Sequence, residues 1–493
     1  MDSQKNNGVN NLFVKRFLLY IGLAIWSLLL FPSAVFAHGF GERYDLPLPL
    51  NFYLFGGGFP VFISFIIIAA FKRKQHPTSS YPTYTILQYT ESSPKRVRKV
   101  IEFLSLATFA LIISTGLFGN QNPTDNLTPT FVWIIWWVGF TIFTAFWGNL
   151  WPIINPFAIV YDFISSLYFK ITNEDLSFNL PYPRQLGITP ALILFVMFVW
   201  FETIYPDSGT PSHIAVAIIF YLMITFTGML VFGKTCWLEH GEVFSILFYL
   251  LSLCSITEIQ KKGHLCQLRI RPLAAGLIKN QSSSWGRVVF IMIALGSVSF
   301  DGFSETPLWV DITIFLEPFF RNIGQFVAIN SLGLLVCIII FLLGYLFFAL
   351  LMNMLSGSYT ARTKLIQQTT YSLLPIAVGY LVAHYLSFLI IQGQLLIPLM
   401  SDPFGWEWNL LGTGDYAINI AIINARFAWI LSLIAIVTGH ILAVFCSHSI
   451  SLQISPQSGR ILLSQLPMLV LMILYTMTSL WIIAQPIVEY SGT

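Results

Sequence analysis

FVAINSLGLLVCIIIFLLGYLFFAL, residues 326–350, runs for 25 positions without one charged side chain. A helix rises 1.5 Å per residue, so this stretch exceeds the roughly 20 residues that cross a bilayer's hydrocarbon core. It reads as a transmembrane helix. Nine further apolar segments have similar character, at 51–71, 100–119, 131–150, 186–205, 213–233, 285–300, 371–391, 427–446 and 465–485. The whole chain agrees with them. Of its 493 residues 56% are hydrophobic and 10% charged, against about 25% charged in soluble domains. Too few polar groups remain to solvate the surface of a water-soluble enzyme. The expected fold is all-α, a polytopic transmembrane helical bundle of about ten spans.

Ahead of the first span, residues 1–37 read as a signal peptide. Lys5, Lys15 and Arg16 precede the apolar core Phe17–Phe31, and Val35 and Ala37 occupy the −3 and −1 positions of a cleavage site. Cleavage there makes His38 the mature N-terminus and 38–493 a single integral membrane domain. The loops that alternate from 72–99 onward hold nineteen of the 25 Lys and Arg, and the opposite set holds three. The positive-inside rule then places 72–99 and 234–284 in the cytoplasm and both mature termini outside. The 72–99 segment, basic at both ends, reads as a polar loop lying on anionic headgroups. Val243–Cys254 and Pro307–Phe320 are apolar but short or interrupted, as interfacial or re-entrant helices are. A net charge of +3 with no basic run among soluble aromatics argues against nucleic acid as a partner. The five cysteines form no C-x-x-C pair and no disulfide is expected.

Gly228–Thr235 matches the G-x-x-x-x-G-K-[ST] pattern, yet it ends a transmembrane segment and follows no strand. A phosphate loop needs a strand before it and a helix opening after it. Nucleotide binding is therefore not assigned, and Lys234 reads as an anchor at the membrane boundary.

Polar residues inside the spans cost at least about 2.5–3.5 kcal/mol to insert when ionisable, which makes them functional candidates. Tyr380, His384 and Ser387 follow i, i+4, i+7 spacing and share one face of the 371–391 span, one turn beyond Pro375. His440 lies in the 427–446 span, displaced from His384 by about 10 Å along the bilayer normal. Asp301 ends the 285–300 span, where capping of the next segment competes with a binding role. Asp301, Tyr380, His384, Ser387 and His440 are accordingly the candidate substrate-binding residues of an outward-facing polar pocket. A cleaved N-terminal His38 offers amine and imidazole nitrogens to one metal ion, copper or another divalent ion. His384 or His213 would add a nitrogen and Asp301 an oxygen. Glu239 and His240 in Trp237–Glu242 form a further cation candidate, with a wet helix end as the competing reading. Asp402–Trp406 and Gly412–Asp415 read as turns.

Several stretches together resemble one family of bacterial polytopic membrane proteins. They are His38–Leu50, Ser299–Ser304, Ala383-His384-Tyr385, Ser401–Phe404 and Gln465–Leu469. That family is commonly labelled fenitrothion hydrolase. The resemblance runs from His38 to the last span and implies location in a bacterial inner membrane and hydrolysis of an organophosphorus triester. Such chemistry usually calls for one or two divalent metals that polarise P=O and activate water. Three functions stay open at this point. The first is a transporter or metal-handling protein that binds a small solute or metal ion. The second is a membrane-embedded hydrolase, and the third is a structural or assembly subunit.

Overall fold

The computed structural model describes residues 50–72, 81–90, 95–263, 265–279, 282–320, 324–356, 362–454 and 461–485. The expected signal segment and cleavage site, and His38, lie outside them. Among the described residues nine helices are long and apolar enough to cross a membrane. They are α1 (Leu50–Lys72), α2 (Lys95–Phe118), α3 (Leu127–Trp147), α7 (Pro211–Phe232), α10 (Trp285–Ser304), α12 (Gln325–Ser356), α13 (Thr363–Ser401), α14 (Ala425–Ile454) and α15 (Ile461–Ile483). The expected span at 186–205 is instead a 15-residue helix, α6 (Thr189–Thr203), opened by Pro190. Its 15 residues rise only about 22 Å. Large apolar side chains point away from the bundle. On α12, Leu335, Ile340, Leu343 and Phe347 are each more than half exposed, as lipid-facing side chains are. The chain is a multi-pass helical membrane protein.

One arrangement of elements occurs twice. Helix α3 stops at Gly148 (φ 109°), followed by the short α4 (Trp151–Ile154), the Asn155 cap and α5 (Pro156–Thr172). Helix α7 stops at Gly233 (φ 86°), followed by α8 (Lys234–His240), the Glu242 cap and α9 (Val243–Ser252). Both glycines hold a left-handed conformation that a β-carbon would strain. The phosphate-loop lookalike is this second turn. It joins two helices, the Trp237 ring packs directly on Gly228, and Lys234 Nζ pairs with Asp162 Oδ2 at 2.6 Å. Helix α9 is more deeply placed than an interfacial helix. Val243, Phe244, Ile246, Leu247, Phe248, Leu250 and Leu251 are all buried, in contact with α3 and α6. Pro307–Phe320 is helical as well (α11), with Trp309 and Thr313 turned inward.

The basic loops hold an element that hydropathy did not indicate. Strand β1 (Tyr84–Thr90) pairs antiparallel with β3 (Leu265–Ile270), which also pairs with β2 (Thr257–Lys262). The 72–99 segment is therefore tied to the second basic segment through a small sheet, with order β1-β3-β2. Glu258 fastens this sheet to the segments that flank it. Its Oε2 accepts from Tyr81 Oη at 2.7 Å and Lys279 Nζ at 2.8 Å, and Arg271 Nη1 lies 3.3 Å away. Burial works against the charged carboxylate. The hydrogen bonds from Lys279 and Tyr81 and the two cationic charges outweigh it and hold Glu258 below the usual glutamate range. A carboxyl lowered in the folded state stabilises above its ordinary range and loses that contribution as pH falls through its lowered value. Protection factors of the β2 amides, corrected for the intrinsic pH dependence of exchange, should therefore fall on acidification into that range, and Glu258→Gln should show low protection already at neutral pH. Equal exchange in wild type and variant at neutral pH would contradict this anchoring role.

Candidate functional site

The last turn of α10 carries Asp301, and the middle of α13 carries Tyr380, His384 and Tyr385. Their meeting depends on how α13 packs. Gly379 faces the Ala435 carbonyl of α14 and Gly439 faces the Pro375 carbonyl, so the two backbones touch where neither bears a side chain. Small residues let membrane helices approach in this way. Ser432 Oγ donates to the Ala383 carbonyl at 2.9 Å and fixes the register. With α13 held against α14, its opposite side meets α10. Gly302 gives the Tyr380 phenol room to lie against the α10 backbone.

His384 Nε2 lies 3.0 Å from Asp301 Oδ2, and Tyr385 Oη donates to the same oxygen. The rings are arranged around this bond. Tyr380 stacks on His384 at 5.8 Å between centroids, and Tyr385 meets His384 edge-on at 4.6 Å. Two more carboxyls lie within electrostatic reach of Asp301. Glu202 of α6 accepts from Trp137 Nε1 at 2.9 Å. Glu305 sits just past the end of α10, where burial raises its carboxyl, His384 opposes that and Asp301 adds to it. The Asp301 and His384 side chains keep 22% and 15% of their surfaces exposed, so the pair is not fully enclosed by its neighbours.

Acid, imidazole and phenol sharing one oxygen form a unit that can exchange a proton. An acid beside an imidazole inside a membrane segment is expensive to build and stable only when the two are paired. Either group can hold the proton, and Tyr385 stabilises the ionised acid by donating to it.

Of the candidate residues, Asp301, His384 and Tyr380 thus lie together. Asp301 departs from the capping alternative, because it lies inside α10 and its carboxyl turns toward α13. Ser387 has no hydrogen-bonding partner among the described residues and stays out of the cluster. His440 is separate too. The α13–α14 register sets it level with residues near Pro375, well below His384, in line with the expected offset. Its Nδ1 bonds the Ile436 carbonyl at 2.8 Å. His213 rests beside Tyr205 Oη at 3.3 Å. No group of three His, Cys, Asp or Glu positioned to hold a metal occurs among the described residues. In the Trp237–Glu242 stretch, His240 bonds the Cys236 carbonyl and Glu239 is exposed, while Glu242 turns fully inward. Asp402 accepts from the Trp406 and Trp408 amides at 3.0 Å each, as the turn reading expects.

Tyr385 and Glu202 were missed. Tyr385 follows His384 and falls off the axis of the i, i+4, i+7 stripe, yet α10 approaches from the side between the two residues. Glu202 had a usable signal, a carboxylate at the end of an apolar helix. Comparison of the chain with protein-family profiles, curated proteins and solved structures finds no match.

Proposed function

We propose that this chain is an inner-membrane carrier that binds a small solute at the Asp301–His384–Tyr385 cluster and exchanges a proton there. The observation that carries the reading is the sharing of Asp301 Oδ2 by His384 and Tyr385 inside the membrane region. An acid engaged in this way responds to a ligand that competes for its oxygen, and losing or gaining a proton sets its affinity. With the basic loops cytoplasmic, the cluster opens on the outer side. Handling of a metal ion is a weaker fit, because no group of three His, Cys, Asp or Glu positioned to hold a metal occurs among the described residues. Triester hydrolysis, which the family resemblance implies, lacks a converging ligand set among the described residues for the same reason.

The test is electrometry on proteoliposomes adsorbed to a solid-supported membrane, challenged in turn with organic cations, organic anions and copper or zinc ions. One class should produce a charge displacement. Asp301→Asn should weaken that response about ten- to hundredfold, the size of one lost hydrogen bond to a charged group. Glu102→Gln, at a partly exposed carboxylate paired with Arg98 on α2, should leave it unchanged. If no class gives an Asp301-dependent response, the carrier reading is wrong.

A further inference from the structure

We propose that a proton path continues from the Asp301–His384 pair through the bundle to the sheet-bearing face, with Tyr380, His440, Ser447 and His448 as its successive stations. The proposal rests on the proton-exchanging reading of the Asp301 site and adds a route to the cytoplasm.

Tyr380 Oη, His440 Nε2 and Ser447 Oγ are buried polar atoms in this region with no hydrogen-bonding partner among the described residues. Their residues are 2%, 1% and 4% exposed. Leaving such an atom unpaired in a protein interior is costly, and three in one bundle point to the same kind of partner at each. Water fits, because a buried water typically makes about three hydrogen bonds to otherwise unsatisfied groups. Below the Asp301 cluster a small, mostly apolar cavity about one water wide counts Tyr380, Ser299, Thr478 and Ser479 among its lining residues.

Helix registers order the stations by depth. Ser432, bonded to the Ala383 carbonyl, marks the level of His384 on α14. His440 follows eight residues later and His448 another eight, so the three histidine levels are spaced by roughly 12 Å. Together they cover about 24 Å of a hydrocarbon core about 30 Å thick. His440 and Ser447 lie seven residues apart on one face of α14. The neighbouring helix continues the track. Ile436 packs with Leu480 of α15, and His448 Nδ1 bonds Gln465 Oε1 at 2.7 Å. Those two contacts set His440 level with Thr476, which is fully buried.

The protonation chemistry suits a relay. The Nδ1 hydrogen of His440 is directed to the Ile436 carbonyl, which leaves Nε2 as a bare lone pair. His440 takes a proton on Nε2, becomes imidazolium, and releases it from the same atom. Tyr380 passes a proton by giving up its own hydroxyl hydrogen and accepting another on the oxygen. Water carries the proton between stations, and each hop moves one proton and no electrons.

The experiment uses the full chain in vesicles that contain the pH dye pyranine. A potassium diffusion potential set by valinomycin drives proton entry with no solute added. Wild type should acidify the lumen faster than protein-free vesicles. His440→Gln, which keeps a polar amide and cannot titrate, should cut that rate about tenfold or more. Ser447→Ala, a smaller change that preserves packing, should cut it severalfold, so the test stands even if the first variant folds poorly. Wild-type entry equal to that of protein-free vesicles overturns the path, as does entry unchanged by both substitutions. An Asp301-dependent solute response in protein with no His440-dependent entry sinks the path alone. Loss of the solute response would instead sink the reading of the site.

Discussion

Glu242→Ala is expected to destabilise the protein by about 3–5 kcal/mol, the range for stripping a buried polar node of its central member. Glu242 is fully buried and caps α9, yet its neighbours also come from two other places in the chain, α7 and the Gly148–Asn155 turn. Oε1 accepts from Tyr221 Oη at 2.7 Å and from the Phe244 amide at 3.0 Å. Oε2 accepts from the Ser245 amide at 2.7 Å and Trp151 Nε1 at 3.1 Å, with Asn155 Nδ2 at 3.5 Å. The two related turns, Gly148–Asn155 and Gly233–Glu242, meet at this carboxyl group. Alanine leaves the donors without an acceptor and removes the cap of α9. Glu242→Gln keeps one carbonyl oxygen and should cost less, about 1–2 kcal/mol. Unfolding titrations in mixed detergent micelles would measure both. Near-equal stability of Glu242→Ala and wild type would show that the node is not a keystone.

The second large effect is expected at the α13–α14 crossing. A methyl group on Gly439 would come within 2.5 Å of the Pro375 carbonyl oxygen, and one on Gly379 within 2.6 Å of the Ala435 carbonyl oxygen. Backbone cannot rotate away as a side chain can, so the helices must part. Gly439→Leu should reach or exceed the top of the roughly 1–3 kcal/mol typical of overpacking. Its consequence extends beyond stability, because α13 carries His384 to Asp301. Cysteines placed at Ser432 and Ala383 in a background free of native cysteines should crosslink efficiently when Gly439 is intact and poorly in Gly439→Leu. Unchanged crosslinking would mean that the glycine contact does not set the helix spacing.

Hydropathy alone carried most of the architecture. Residues 326–350 could only be a membrane helix, and nine of the ten expected spans are present as long apolar helices. The exception, 186–205, shows why such a reading blurs. Pro190 fixes where α6 can begin, and a window average does not register that boundary. The sheet was overlooked for a different reason. Tyr84–Thr90 carries β-branched and aromatic residues, and Gly263-His264 separates two short strand-like runs, both usable signals. They were outweighed by the surrounding Ser, Thr and Lys, which read as polar loop.

The candidate site divides along the same line. The stripe Tyr380, His384, Ser387 was legible because helical periodicity puts those positions on one face, whatever the rest of the chain does. The offset of His440 was legible from the rise per residue. What could not be read was which stripe member would find a partner. Asp301 and His384 are 83 residues apart, and no local pattern links them. Their contact follows from Gly379 and Gly439 letting α13 and α14 close, and from Gly302 admitting Tyr380. Composition and periodicity therefore determined that this chain crosses a membrane with polar groups buried in it, since the bilayer acts on each segment separately. Only tertiary structure decided that Asp301, His384 and Tyr385 form one hydrogen-bonded unit while Ser387 stands outside it, because pairing depends on backbone approach between segments distant in the chain.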